Sequence, residues 1–170
     1  MKKMTSAQAA KELKRLNDLH TALLEKEQKA AVFTAAIQED VEQARPEYDY
    51  AGTQAILRTF ESKIIRLKHS INVFNTSYVI PEFNKTIDQM LVYIPQLTTH
   101  KKKLEKMVGR LPKERLSSGF SRSSNFIEYT YCNYDVEEIK RDLEETAKEL
   151  AAAQMILDKV NSTVEFAVDI

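Results

Sequence analysis

The sequence predicts an all-α fold: an up-down antiparallel four-helix bundle with coiled-coil packing, a long first helix and a small β patch at the poles. Apolar residues recur at steps of three and four over four long segments, the spacing of a coiled-coil seam. Only three glycines and four prolines interrupt the chain, which favours long helices and few turns. A chain of 170 residues has the usual size of one domain. We therefore expect residues 1–170 to form a single helical domain.

The first helix is predicted over about residues 6–43, with Pro46 ending the element. His20, Glu27 and Thr34 make the centre of its seam polar. Polar seam residues restrict register and oligomeric state in coiled coils, although they also fit a gap or water at the edge of a bundle. An unbroken first helix would overhang the other three, so its natural partner is a second copy of the chain. The seam residues considered for self-association are Leu13, Leu16, His20, Leu23 and Glu27.

Two further helices are predicted at about residues 51–75 and 86–110. The first of these has the most regular apolar seam of the chain. The other opens on Thr86, with Gln89 three residues later, which is the pattern of a capping box. Pro95 removes a hydrogen-bond donor inside this helix, so we expect a bend there.

The last helix is predicted at about residues 135–161, opening on an acidic capping pattern from Asp135 to Glu138. Three short stretches that are β-branched or alternate in polarity predict strands at about residues 76–80, 126–131 and 163–169. Short connections make sequential helices antiparallel, so residues 76–80 and 163–169 are expected to meet at the same pole, with Tyr78 and Phe166 among them.

A succession of apolar positions and Asn-bearing helix ends runs through about residues 55–168. It resembles the septicolysin-like family of small helical bacterial proteins, which has no defined biochemical role. The residues that carry the resemblance are Ile64, Leu67, Ile71-Asn72, Asn75-Thr76, Thr86-Ile87-Asp88, Leu91, Ile127-Glu128-Tyr129, Val160-Asn161 and Val164-Glu165.

The family name suggests a thiol-activated, membrane-damaging cytolysin. Such toxins carry a Trp-rich, Cys-containing membrane loop and a secretion signal. This chain has no Trp, and its one thiol, in Tyr131-Cys132-Asn133, matches no such loop. Membrane damage is therefore ranked below the other functions considered.

Composition excludes several classes of protein. A lone Cys132 cannot form an internal disulfide, and the scarcity of glycine removes phosphate-binding loops. The charged start, Met1 to Ser6, is not followed by the apolar run of a signal peptide, and no stretch reaches the length of a membrane span. A cytoplasmic location is therefore expected. The 25 basic and 25 acidic residues sum to zero, which argues against a globally basic nucleic-acid binder.

No catalytic, metal or cofactor site is predicted. The di-iron pattern needs Glu-x-x-His, but the residues three before His20, His69 and His100 are not glutamate. Cys-x-x-Cys and His-Glu-x-x-His are also absent from the sequence. His20 is interpreted as a core or interface histidine, and Cys132 as an inert thiol packed at the end of a strand.

The strongest signal of another kind is a basic segment at residues 101–122, where eight Lys and Arg residues against two Glu give a local charge of plus six. If the helix continues past Pro112, several of these residues form one stripe. No aromatic residue lies between Gln96 and Ser118, so a base-stacking platform is not expected. The candidate anion- or partner-binding residues are Lys103, Lys106, Arg110, Lys113, Arg115 and Arg122.

Three interpretations of this segment stay open: a solvated helix face near a C-terminus, self-association against the acidic residues 38–50, or a phosphate-bearing ligand. The leading hypothesis for the whole chain is a non-enzymatic interaction or assembly protein that forms a homo-oligomer through its first helix. The alternative is binding of nucleic acid or polyphosphate through residues 101–122.

Overall fold

The computed structural model describes residues 2–115 and 128–170 and is mostly helical, with 68% of these residues in helices. The helices are α1 (Ser6–Ala30), α2 (Val41–Ala44), α3 (Tyr50–Ser77), α4 (Ile87–Val108) and α5 (Val136–Thr163). The strands are β1 (Lys2–Thr5), β2 (Val79–Ile80), β3 (Lys85–Thr86), β4 (Lys113–Arg115), β5 (Tyr129–Tyr131) and β6 (Glu165–Val168). They pair as three two-stranded antiparallel sheets, β1–β6, β2–β3 and β4–β5.

The four long helices pack mainly as two pairs, α1 with α3 and α4 with α5. Both pairs are antiparallel. Late residues of α1 face early residues of α3, since Gln54 Nε2 donates a 2.7 Å hydrogen bond to Glu27 Oε1. In the other pair, the Tyr134 hydroxyl just before α5 donates to the Met107 carbonyl oxygen at the end of α4.

The first helix is shorter than predicted. It ends at Ala30 instead of residue 43, and the separate one-turn helix α2 follows at Val41. Glu27 is already level with the first turns of α3, so the predicted continuation extends past the helix that packs against α1. Most helical stability comes from packing an apolar face, and residues 31–40, which have no long helix beside them, do not continue the helix. Val32 and Ile37 are accordingly exposed.

Helix starts follow the capping chemistry closely. The predicted capping box of α4 is confirmed: Thr86 Oγ1 accepts from the Gln89 backbone amide, and Gln89 Oε1 accepts from the Thr86 amide. Thr5 and Gln8 form a second capping box, at the start of α1. At α5 the sequence predicts a capping box, and the structure shows a single capping bond, in which Asp135 Oδ1 accepts from the Glu137 amide.

Two groups of buried side chains form the core. The larger lies between α3, α4 and α5 and includes Ile80, Ile87 and Met90. The smaller lies between α1, α3 and the β1–β6 sheet and includes Leu16 and Leu67. The Phe166 ring contacts both groups, so the two groups are continuous.

Strand pairing differs from the expectation that residues 76–80 meet residues 163–169. Instead, β6 pairs with the N-terminal strand β1, and β2 turns back on β3 through Asn84, whose φ is 48°. Tyr78 and Phe166 nevertheless lie at the same pole, since both rings contact Phe74, with centroid distances of 5.2 and 4.5 Å. Of the predicted strand at residues 126–131, Tyr129–Tyr131 is a strand, while residues 126 and 127 lie outside the described residues.

Candidate functional site

The basic segment begins on the last turns of α4 and continues beyond it. Within residues 101–115 and 128–134, seven Lys and Arg residues stand against three Glu, a net charge of plus four. Among the described residues, the ion pair made here joins Lys101 to Glu105 at 3.5 Å. The other basic side chains are exposed: Lys102, Lys103, Lys106, Arg110, Lys113 and Arg115. Arg122 lies outside the described residues.

The helix does not continue past Pro112, so these residues do not form the single stripe that such a continuation would give. Helix α4 ends at Val108 with Gly109 as its C-cap, and Pro112 cannot continue a helix. Lys103 and Lys106 therefore lie on the last helical turns, whereas Lys113 and Arg115 belong to strand β4. The stripe is replaced by a helix end and a strand, with Arg110 in the turn between them.

Strand β5 places two tyrosines beside this strand. Lys113 is the cross-strand partner of Tyr131, and Arg115 is the partner of Tyr129. The Lys113 Nζ atom lies 4.1 Å from the centroid of the Tyr129 ring and 5.4 Å from that of Tyr131, within the range of cation–π contacts. Side chains alternate along a strand, so these four share one face of the β4–β5 pair, and Glu114 points to the other.

Both rings keep a large accessible surface. Tyr129 is 43% exposed and Tyr131 is 61% exposed, and their ring centroids are 6.4 Å apart. No aromatic residue lies near the lysines along the chain between Gln96 and Ser118, but the pairing of β5 with β4 places Tyr129 and Tyr131 beside Lys113 and Arg115. The alternation of Tyr129-Thr130-Tyr131 predicted a strand, but it did not indicate which strand would pair with it. We define the basic surface as Lys102, Lys103, Lys106, Arg110, Lys113, Arg115, Tyr129 and Tyr131.

A cleft adjoins the basic surface, and Arg110, Glu114, Tyr131 and Cys132 are among the residues that line it. The Cys132 thiol is half-buried just after β5 and donates to the Leu111 carbonyl oxygen at 3.2 Å. The Tyr134 hydroxyl donates to the Met107 carbonyl oxygen at 2.7 Å. Hydrogen bonding to Cys132 raises the pKa of Tyr134. These bonds attach the residues after β5 to the end of α4.

The proposed self-association seam on α1 faces α3 of the same chain. Leu16 is 1% exposed and Leu13 packs beside it, both against the group that contains Leu67. His20 Nε2 lies 3.4 Å from Glu61 Oε1 of α3. Leu23 lines a cleft between α1 and residues 47–53. The seam is thus used within the chain, because its apolar stripe is the face that α1 buries against α3.

Glu27 is the polar centre of this seam, and it has two donors. Its Oε1 atom accepts from the Tyr48 hydroxyl at 2.5 Å and from Gln54 Nε2 at 2.7 Å. A carboxylate away from water is costly unless donors meet it, which these two side chains do. The hydrogen bond to Glu27 raises the pKa of Tyr48 from 10 to about 12. Glu27 therefore fixes the segment between α2 and α3 against α1.

The described residues include neither a cluster of metal-ligand side chains nor a helix that could span a membrane. Within residues 2–115 and 128–170, no group of three His, Cys, Asp or Glu side chains is arranged to hold a metal ion. None of the helices in these ranges has the length and apolar character needed to span a bilayer.

Comparison with known proteins finds one similar fold, in a protein of unknown function. No family model matches the chain, and no curated protein is significantly similar to it in sequence. Among solved structures, it is similar to the crystal structure of a functionally unknown conserved protein from Corynebacterium diphtheriae. The two are 18% identical, with a TM-score of 0.55 over 98% of this chain and 100% of the other. A similarity at this level of identity shows a shared fold alone.

Proposed function

We propose that the protein is a non-enzymatic helical binding protein that holds a phosphate-bearing polymer, nucleic acid or polyphosphate, on its basic surface. One observation carries the proposal: the pairing of β4 with β5 gathers Lys113, Arg115, Tyr129 and Tyr131 on one exposed face beside the basic end of α4. A chain whose net charge is zero overall concentrates positive charge at this position.

The electrostatics favour a polyanion over an isolated charge partner. Lys102, Lys103, Lys106 and Arg110 are exposed and, among the described residues, are not neutralised by ion pairs. Each phosphate that such a side chain neutralises releases a condensed counterion, so several together give an affinity that depends steeply on salt. The positive charge also suits the C-terminal end of α4, whose dipole is negative there, and this explains why the fold tolerates the cluster.

Self-association through α1 has less support, because its seam residues face α3. The antiparallel order of α1, α3, α4 and α5 is consistent with a four-helix bundle with coiled-coil packing, which stays a prediction. The resemblance to the septicolysin-like family also stays a prediction. No observation on the described residues favours the membrane-damaging activity that the family name suggests.

Charge reversal tests the proposal. The triple variant Lys103→Glu, Lys106→Glu, Arg110→Glu is compared with the wild type for binding of inorganic polyphosphate and a short oligodeoxythymidine. We expect wild-type affinity to fall linearly with the logarithm of salt concentration. Losing three phosphate contacts makes the slope of log affinity against log salt concentration less steep by about 2 for a single strand.

A matched control separates the site from the overall charge. Lys29→Glu, Lys68→Glu, Lys159→Glu changes the net charge equally, at exposed positions on α1, α3 and α5. We expect this control to bind nearly as well as the wild type. Equal losses in both triple variants, or no binding by the wild type at low salt, would overturn the proposal.

A further inference from the structure

The two tyrosines of β5 suggest which phosphate polymer the basic surface takes. We infer that the ligand is single-stranded nucleic acid, with bases stacked on Tyr129 and Tyr131 and the sugar–phosphate backbone held by the surrounding Lys and Arg residues. This inference rests on the proposed function and adds the class of polymer to it.

Aromatic exposure is the first argument. Tyr129 and Tyr131 are 43% and 61% exposed, and both lie beside exposed basic side chains of β4. An exposed ring is a stacking surface for any base, because every base has a π-face. Polyphosphate has no base, and a duplex keeps its bases stacked inside the helix, so neither uses these rings in the same way.

Ring placement is the second argument. The hydrogen-bonded register with β4 fixes the backbone of both tyrosines, and Lys113 Nζ lies within cation–π distance of both rings. The rings are therefore positioned before a ligand arrives, which reduces the entropy lost on binding. The two ring centroids are 6.4 Å apart and the ring planes are tilted by 52°, so the two rings present differently oriented faces.

Charge around the rings is the third argument. Arg115 is the cross-strand partner of Tyr129, and Arg110 lines the same cleft as Tyr131. Glu114 lines this cleft as well, although it alternates along β4 with Lys113 and Arg115. A base on either ring therefore has a guanidinium group nearby for its phosphate, and the combination of a basic groove with aromatic rings is typical of sequence-tolerant single-strand binding.

The experiment uses the full chain and compares oligodeoxythymidine, the duplex of the same length and inorganic polyphosphate. We expect Tyr129→Ala and Tyr131→Ala each to weaken oligodeoxythymidine binding by about tenfold. Binding of polyphosphate should not change, because it has no base to stack. Tyr129→Phe and Tyr131→Phe keep the ring and should restore most of the affinity.

Tyr50→Ala is the matched control, since Tyr50 is 65% exposed at the start of α3. The chain has no Trp and seven Tyr, so its intrinsic fluorescence reports on tyrosine directly. We expect oligodeoxythymidine to quench the tyrosine fluorescence of the wild type. The fluorescence of the double variant Tyr129→Ala, Tyr131→Ala should be quenched much less. Far-UV circular dichroism verifies that each variant is folded.

The outcomes separate the two proposals. If polyphosphate and oligodeoxythymidine both bind and both Tyr→Ala variants retain wild-type affinity for the oligonucleotide, the stacking inference fails while the proposed function stands. A wild type that prefers the duplex also overturns the inference. If no polymer binds even at low salt, both proposals fail.

Discussion

Met4 is the side chain through which the N-terminal strand joins the core, and truncating it tests the β1–β6 sheet. Met4 is 4% exposed and packs in the group that contains Leu16, Leu67 and Val168. Its neighbour Lys3 lies in the same strand and is exposed. Met4→Ala therefore removes a buried side chain from β1, and Lys3→Ala removes an exposed side chain from the same strand.

The expected cost follows from this burial. Truncating a fully buried methionine to alanine destabilises a core by about 2–5 kcal/mol. Strand β1 has four residues and pairs with a single strand, β6, so it can also detach locally, and the cost cannot exceed the free energy of that local opening. We expect Met4→Ala to lower the free energy of unfolding by about 2 kcal/mol, the low end of the range.

Urea unfolding followed by circular dichroism at the helical band measures this cost. With a slope of about 2 kcal/mol per molar urea, the midpoint of Met4→Ala should fall by about 1 M. Lys3→Ala should stay within about 0.5 kcal/mol of the wild type, as surface substitutions do. Equal midpoints for the two variants would refute the packing of β1 on the core.

Two further predictions concern the α1–α3 pair. Leu67 is fully buried and Ile65 is 68% exposed on the same helix. In urea unfolding, Leu67→Ala should lower the free energy of unfolding by about 2–5 kcal/mol and Ile65→Ala by about 0.5 kcal/mol or less. Equal losses would contradict the assigned buried face of α3. Glu27 raises the pKa of Tyr48 from 10 to about 12, so the folded state favours the neutral phenol; this stabilisation is complete below pH 10 and is lost as pH rises through 12. Ultraviolet titration of tyrosinate in the folded protein should show one fewer tyrosine titrating near pH 12 in Tyr48→Phe than in the control Tyr50→Phe, and identical curves would contradict the Tyr48–Glu27 hydrogen bond.

The long helices with neighbours along their whole length were predictable from the sequence. The expected ranges 51–75, 86–110 and 135–161 agree with α3, α4 and α5 to within two residues at each end. Periodic apolar residues and local caps determine such helices, and both signals lie within a few residues along the chain. The end of α1 could not be predicted in this way. Residues 31–40 have the apolar spacing of a helix, but no long helix packs against them.

Short strands were the least predictable elements. Lys2–Thr5 and Lys113–Arg115 have few β-branched residues, and each becomes a strand because a distant segment pairs with it. The partner of β1 is the strand that follows α5, at the other end of the sequence. No pattern local to Lys2–Thr5 contains that information, because the pairing depends on a segment more than 150 residues away in the sequence.

The surroundings of the basic segment also depend on a pairing between distant residues. Along the chain its lysines and arginines have no aromatic neighbours, and such a pattern is typical of a solvated helix face. The pairing of β4 with β5 joins residues 113–115 to residues 129–131, and a run of charge becomes a surface of charge and exposed rings. Charge alone binds any polyanion, whereas rings held at a fixed spacing distinguish polymers that have accessible bases from those that do not. The specificity we propose therefore depends on one strand pair, and the basic residues supply only the attraction common to all phosphate polymers.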